Sequence, residues 1–133
     1  MNHKKRLILA ITGASGAIYG LQMFKALKDL KIEVHLVISP MGMQVIKEET
    51  GTDPKALIKA ADRAYQADDL SAPIASGSFK TDGMLIVPCS VKTLSGVANA
   101  YAENLVQRAA DVCLKEGRPL LLAVRESPLH PGH

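Results

Sequence analysis

Arg6-Leu7-Ile8-Leu9-Ala10-Ile11-Thr12-Gly13-Ala14-Ser15-Gly16-Ala17 decides the fold. The apolar run Leu7 to Ile11 reads as a strand buried on both faces, spanning Arg6 to Thr12, and the glycines turn the chain sharply behind it. Ile18, Leu21, Met23, Phe24 and Leu27 then recur at helical spacing. They predict a helix from Ala17 to Leu30 with one face on a sheet. Val34, Leu36 and Ile38 mark a second strand, Glu33 to Ser39, and a strand-helix-strand unit of this kind implies parallel pairing.

Working outward, Met41 to Thr50 reads as a helix. Gly51-Thr52-Asp53-Pro54 is a break, with Pro54 at the start of a second helix over Lys55 to Ala64. Tyr65 to Asp82 is polar and irregular, long enough for its Ala75-Ser76-Gly77-Ser78 segment to raise the question of function. Met84 to Pro88 is a third strand. Lys92 to Ala102 and Asn104 to Lys115 follow as helices, Gly117 and Pro119 stop the second, and Leu120 to Val124 is a fourth strand. The pattern predicts one α/β domain over residues 1–133: a flavodoxin-like (Rossmann-like), doubly wound parallel sheet in three layers. Ligands of such sheets bind beyond the carboxyl ends of the strands, here Thr12-Gly13, Ser39, Cys89-Ser90 and Arg125-Glu126.

Composition narrows the classes. With 47% hydrophobic and 22% charged residues the chain can bury a core, and without Trp that core is aliphatic. Sixteen basic against thirteen acidic residues, scattered apart from His3-Lys4-Lys5-Arg6, do not indicate nucleic-acid binding. The apolar run after that cluster ends in Thr-Gly and not in a cleavage site, so it reads as a strand of a cytoplasmic protein. No stretch approaches the ~20 apolar residues of a membrane span, and none is expected. Cys89 and Cys113 lack CxxC spacing and His3, His35, His130 and His133 are dispersed, so reduced thiols and no metal are expected.

The first loop carries the chemistry. Gly13 and Gly16 allow a tight turn, the helix behind them offers unpaired N–H groups and a positive dipole end, and Ser15 adds a hydroxyl, a combination suited to a nucleotide phosphate. The glycines fall at 13, 16 and 20 instead of G-x-G-x-x-G, and the second strand ends in Ser39-Pro40 where a nicotinamide fold places an acid for the ribose. Together with Ser15, Ser39 and Ser90 this favours FMN over NAD. At the third strand end Pro88-Cys89-Ser90-Val91-Lys92-Thr93 brings a thiol, two hydroxyls and an ammonium to the same edge. Ser90 is also a natural helix cap, with Cys89 a small core residue and Lys92 solvated.

Thr12-Gly13-Ala14-Ser15-Gly16-Ala17, Ala75-Ser76-Gly77-Ser78, Pro88-Cys89-Ser90, Arg108-Ala109-Ala110-Asp111-Val112 and Val124-Arg125-Glu126-Ser127-Pro128-Leu129-His130 resemble, in order, the UbiX-type flavin prenyltransferases, long described as aromatic-acid decarboxylases. The resemblance runs from Leu7 to His130. It implies metal-independent transfer of a dimethylallyl group from dimethylallyl phosphate to reduced FMN. The product, prenylated FMN, would serve a UbiD-type decarboxylase. The resemblance also implies homo-oligomers with active sites at subunit boundaries. The implied FMN contacts are Gly13, Ala14, Ser15, Ser39, Ser90, Val91, Lys92, Thr93 and Arg125. Arg108 and Lys115, seven residues apart on one helix, would serve the substrate phosphate, although a solvated face with Asp111 paired to Lys115 at i, i+4 accounts for the same spacing. Glu49 and Glu126 would be active-site carboxylates beside Ser15, with Glu126 moving the proton.

The family's chain runs on through a further helix and strand bearing a Tyr and a basic residue, whereas this sequence stops at His133. A C-terminally truncated sheet that binds FMN and prenylates it poorly is therefore expected. Two other readings of the same residues stay open: an FMN-binding small subunit of an aromatic-acid decarboxylase, and a flavin-containing Cys decarboxylase.

Overall fold

The apolar runs become strands that alternate sides. In the computed structural model, which describes residues 4–133, β1 (Arg6–Ile11) sends Ile8 and Ala10 to one face of the sheet and Leu9 and Ile11 to the other. All four are at most 2% exposed, as expected for a strand covered on both faces. β2 (Glu33–Ile38) pairs with β1 in parallel from Arg6↔Glu33 to Ile11↔Ile38, and β4 (Gly83–Cys89) pairs with its other side. β5 (Leu120–Val124) lies outside β4.

Among the described residues the sheet has five strands, one more than the sequence pattern predicts. Arg63–Gln66, the tail of the expected helix Lys55 to Ala64 and the start of the expected irregular stretch, is β3, paired in parallel with β2 from His35↔Arg63 to Ile38↔Gln66. The helix before it, α3 (Pro54–Ala60), stops because Ala61 takes an extended backbone. A four-residue edge strand with three exposed positions carries no apolar alternation, which is why pattern reading extended the helix through it. The sheet order is β3-β2-β1-β4-β5. Without β3 the remaining strands follow the flavodoxin order 2-1-3-4, and β3 adds the outer strand of dinucleotide-binding sheets. The direction of strand addition reverses between β1 and β4, and a crevice opens at that switch point.

Helices cover both faces. α1 (Ala17–Asp29), α2 (Pro40–Thr50) and α3 pack on the face that holds Leu9, Leu36 and Val87. α4 (Val91–Ala98), α5 (Leu105–Lys115) and the 3-10 turn Pro73–Ala75 pack on the face that holds Ile8, Met84 and Ile86. The stripe α1 buries is Ala17, Gly20, Phe24 and Leu27, whereas Ile18, expected on that face, is 46% exposed and Leu21 and Met23 are half-buried. Gly20 explains the rotation. A Cβ there would lie 2.6 Å from the Val87 carbonyl oxygen, so the missing side chain lets the helix backbone settle against β4.

Candidate active site

Four of the five strands end on one crevice of about 710 Å³, within the ~300–1,000 Å³ typical of small-molecule sites. Thr12 and Gly13 form its floor. Ser39 and Ser90 stand on either side of the switch point, and Gln66-Ala67-Asp68, Asn104 and Gln107 make the far wall. Met41 and Met43 give it an apolar side.

Local sequence chemistry builds each corner. Ser39 caps α2, its Oγ accepting the Gly42 N–H at 3.0 Å, with Pro40 at the first helical position where its missing N–H costs nothing. Ser90 caps α4. Its Oγ accepts from Thr93 N at 3.2 Å and donates to Thr93 Oγ1 at 2.9 Å. Neither α2 nor α4 has an acidic residue in its first turn, so two positive dipole ends face the crevice uncompensated. α5 starts on the opposite wall, capped by Asn104, with Asp68 and Glu103 beside it.

Thr12 joins the first and third loops of the crevice. Its hydroxyl donates to the Pro88 carbonyl at 2.8 Å and accepts the Ser90 N–H at 2.9 Å, while its own N–H reaches Pro88 O at 3.2 Å. Gly13 is required for a steric reason: a Cβ there would collide with the Cβ of Met41 and crowd two Met41 backbone atoms at 3.2 and 3.3 Å. This loop and the start of α2 therefore pass each other at backbone distance.

The start of α1 differs from its expected role as an open phosphate cradle. Gly16, its N-cap, has φ +96° and no capping side chain. Glu49, from the last turn of α2, supplies the cap instead: one carboxylate oxygen accepts both Gly16 N–H and Ala17 N–H at 3.0 Å. Two of the N–H groups expected to meet a phosphate are thus already bonded to an anion, and the uncompensated helix ends are those of α2 and α4. Ala14 is buried and Ser15 exposed, both outside the crevice wall.

Arg125 approaches the same loop. Its Nε lies 3.4 Å from where a Gly16 Cβ would stand, and its backbone N–H donates to Cys89 O at 3.2 Å. That bond follows a register shift between β4 and β5 past Ile86, which turns the end of β5 toward the first loop. Glu126 follows, exposed and with no hydrogen-bond partner among the described residues. Lys92 is exposed and pairs with Glu103 at 3.4 Å across the rim, and Val91 is half-buried in the first turn of α4.

Arg108 and Lys115 do not meet in this chain's own crevice. Arg108 donates through Nε to the Ala75 carbonyl at 3.1 Å and lies 3.8 Å from Asp111, so Asp111 pairs at i, i+3 with Arg108 and not with Lys115. Lys115 ends α5 near the start of β5, at the opposite edge of the sheet. The helix runs down the sheet and away from the crevice. The Ala75-Ser76-Gly77-Ser78 loop is pinned to this outer side: Arg118 bonds the Gly77 and Phe79 carbonyls, and the Ser76 and Ser78 hydroxyls meet at 2.8 Å.

Cys89 is fully buried, and that burial pushes its thiol up to about 11, so it stays protonated at neutral pH and acts as core. Among the described residues no three His, Cys, Asp or Glu side chains cluster as a metal site, and no helix is long and apolar enough to cross a membrane. Sequence reading missed Gln66-Ala67-Asp68 because it missed β3. It missed Gln107 although the sign was present, since Asn104 caps a helix and places the residue three positions on beside the same strand ends.

The flavoprotein family model matches residues 1–131. The flavin prenyltransferase UbiX of Escherichia coli K12 is 52% identical over 130 residues, which cover 97% of this chain and 69% of that protein. The crystal structure of AnUbiX (PadA1) in complex with FMN and dimethylallyl pyrophosphate superposes with a TM-score of 0.95 at 43% identity, over 97% of this chain and 69% of that one. A dodecameric FMN-dependent UbiX-like decarboxylase from Escherichia coli O157:H7 superposes with a TM-score of 0.93 at 46% identity, over 95% and 69%.

Proposed function

This chain belongs to the flavoprotein family and, within it, to the UbiX-type flavin prenyltransferases, and from that premise we propose how its residues divide the work. The reaction moves a dimethylallyl group from a phosphorylated donor to reduced FMN. The sequence reading expects dimethylallyl phosphate as donor, and the related AnUbiX holds the pyrophosphate. Both combine the same allyl group with a phosphate leaving group.

The residues present fit a flavin phosphate. The observation that carries this is the pair of uncompensated helix starts, α2 and α4, beside the hydroxyls of Ser39, Ser90 and Thr93 at a crevice of sufficient volume. Ser39, Ser90, Val91, Lys92 and Thr93 hold the phosphate and ribityl chain. Gly13, Ala14 and Ser15 set the backbone of the first loop beside them. When bound, the reduced ring supplies the nucleophilic nitrogen and carbon that receive the allyl group. Arg125, its Nε beside Gly16, contacts the flavin next to the first loop and places a permanent positive charge there. Glu126, next in the chain and without a hydrogen-bond partner among the described residues, would accept a proton from the flavin's ring carbon. Glu49 keeps Ser15 and Gly16 in place through the two N–H bonds it accepts.

Arg108 and Lys115, remote from this chain's crevice, serve the donor phosphate at the crevice of a neighbouring copy in a homo-oligomer; the dodecameric relative supports such assembly. The product goes to a UbiD-type decarboxylase. Dependence on a reduced flavin and two unpaired cysteines fit the cytoplasm. The deciding experiment is anaerobic incubation with reduced FMN and dimethylallyl phosphate, followed by mass spectrometry of the extracted flavin. An added five-carbon unit is expected, and FMN recovered unchanged from a complex that binds it would overturn the assignment.

A further inference from the structure

We infer that Gln107 determines flavin specificity, its carboxamide N–H donating to a carbonyl oxygen of the isoalloxazine ring. This inference rests on the crevice being the flavin site.

Gln107 is a buried polar residue whose side-chain amide nitrogen has no partner among the described residues. It is 2% exposed and lines the crevice from the first turn of α5. The Glu103 backbone N–H donates to one end of its amide at 2.8 Å, so that end is the oxygen and the other is the NH₂ group. The nitrogen meets no acceptor among the described residues. It is not sealed in the protein either, since Thr81 Oγ1 is the one fully buried side-chain polar atom left without a partner among them. An amide nitrogen on a crevice wall, neither bonded nor sealed, opens on the crevice. Burying such a donor without an acceptor is costly, and a ligand that supplies one is selected.

The wall's charges identify that acceptor. Asp68 lies on the same side of the crevice and pairs with no cation among the described residues, while Glu103 is only partly offset by Lys92 at 3.4 Å. A dianionic phosphate is disfavoured there and favoured at the uncompensated start of α2 across the crevice. The far wall therefore receives the uncharged part of the ligand, and a neutral carboxamide suits a ring carbonyl. Gly96 keeps the group in position. A Cβ at Gly96 would lie 2.5 Å from the amide nitrogen and 2.6 Å from its carbon, so the α4 backbone is the surface against which the carboxamide rests.

The test measures dissociation constants of FMN, riboflavin and ribitol 5-phosphate, with the visible absorption of bound flavin, for the wild type, Gln107→Leu, Gln107→Glu and Gly96→Ala. Gln107→Leu should weaken FMN and riboflavin by the same factor, about 5- to 20-fold, leave ribitol 5-phosphate unchanged and shift the bound flavin's spectrum. Gln107→Glu should weaken both flavins further at pH 7 and recover as the carboxyl is protonated. Gly96→Ala, which keeps Gln107 and displaces its amide, should reproduce the Leu pattern in part and remains informative if Gln107→Leu fails to fold. Unchanged riboflavin binding in Gln107→Leu, or a loss shared equally by ribitol 5-phosphate, overturns the inference. If Gln107→Leu fails to fold, a Gly96→Ala protein that keeps wild-type riboflavin affinity and spectrum overturns it as well. Failure of the wild type to bind FMN refutes the flavin reading itself.

Discussion

Removing the Glu49 carboxylate should loosen the first loop and the helix behind it together. Glu49 is the only cap of α1 seen among the described residues: one oxygen holds two N–H groups at 3.0 Å, and Gly16 has no side chain to replace it. Loss of a side-chain cap costs ~0.5–2 kcal/mol. The charge interacting with the dipole of this 13-residue helix adds ~0.3–1 kcal/mol, at the lower end because Glu49 is exposed and salt screens it. Glu49→Ala should therefore lose ~1–2 kcal/mol, a fall in Tm of roughly 3–8 °C for a domain of this size. Glu49→Gln keeps an acceptor and loses only the charge, so its Tm should fall by roughly 1–3 °C, and the gap between Glu49→Gln and the wild type should narrow at high salt. Thermal unfolding by circular dichroism at low and high salt, with FMN titrations alongside, measures both. A Glu49→Ala protein that melts with the wild type would show that this carboxylate does not cap α1, and with it the ordering of Ser15 and Gly16 by Glu49 would fall.

Gly13→Ala should cost ~1–3 kcal/mol by overpacking against the Met41 backbone and weaken FMN at least as much as it lowers stability; wild-type FMN affinity would mean that the loop can shift freely. Glu126→Gln should bind FMN normally and lose prenylation, and full turnover would remove Glu126 as the proton acceptor. Arg125→Ala should weaken FMN by ~1–3 kcal/mol, as read from equilibrium titration, and an unchanged dissociation constant would remove Arg125 as a flavin contact. A further expectation concerns acid. Hydrogen bonds from His35 and Arg6 hold the Glu33 carboxyl below its ordinary 4.5, so in the folded state it keeps its charge to lower pH than in the unfolded chain. Its stabilisation is present above the unfolded value and is lost as pH falls through the folded one. Urea midpoints between pH 3 and 6 should decline more shallowly in Glu33→Gln than in the wild type, and parallel declines would dismiss the coupling.

The parts of this fold legible in the sequence were those written in apolar periodicity. β1, β2, β4, β5 and the helices between them lie within a few residues of their expected limits because each buries a patterned face. β3 was illegible because its four residues are stabilised by pairing with β2 and carry no pattern of their own. The stripe on α1 departs from expectation at Ile18 because Gly20, which pattern reading scores as a gap, is where the helix backbone lies against β4. Strand ends Thr12-Gly13, Ser39 and Ser90 were legible as one crevice edge, since a doubly wound sheet gathers its strand ends there. Glu49 as a cap was not, because 33 residues separate it from the N–H it binds and no local signal records a tertiary partner.

Thr12 gives the crevice a mechanical property. One hydroxyl both donates across the switch point to Pro88 and accepts from Ser90, so the loops after β1 and β4 share a hinge pin and lack independent freedom. A ligand that pulls on the Ser90 loop must move the Gly13 loop with it, and thermal opening of either exposes both. Hydrogen exchange at Gly13 and Ser90 should slow in step as ligand is added, and Thr12→Val, which keeps the shape and the backbone bond to Pro88 but removes both hydroxyl bonds, should let the two rates part.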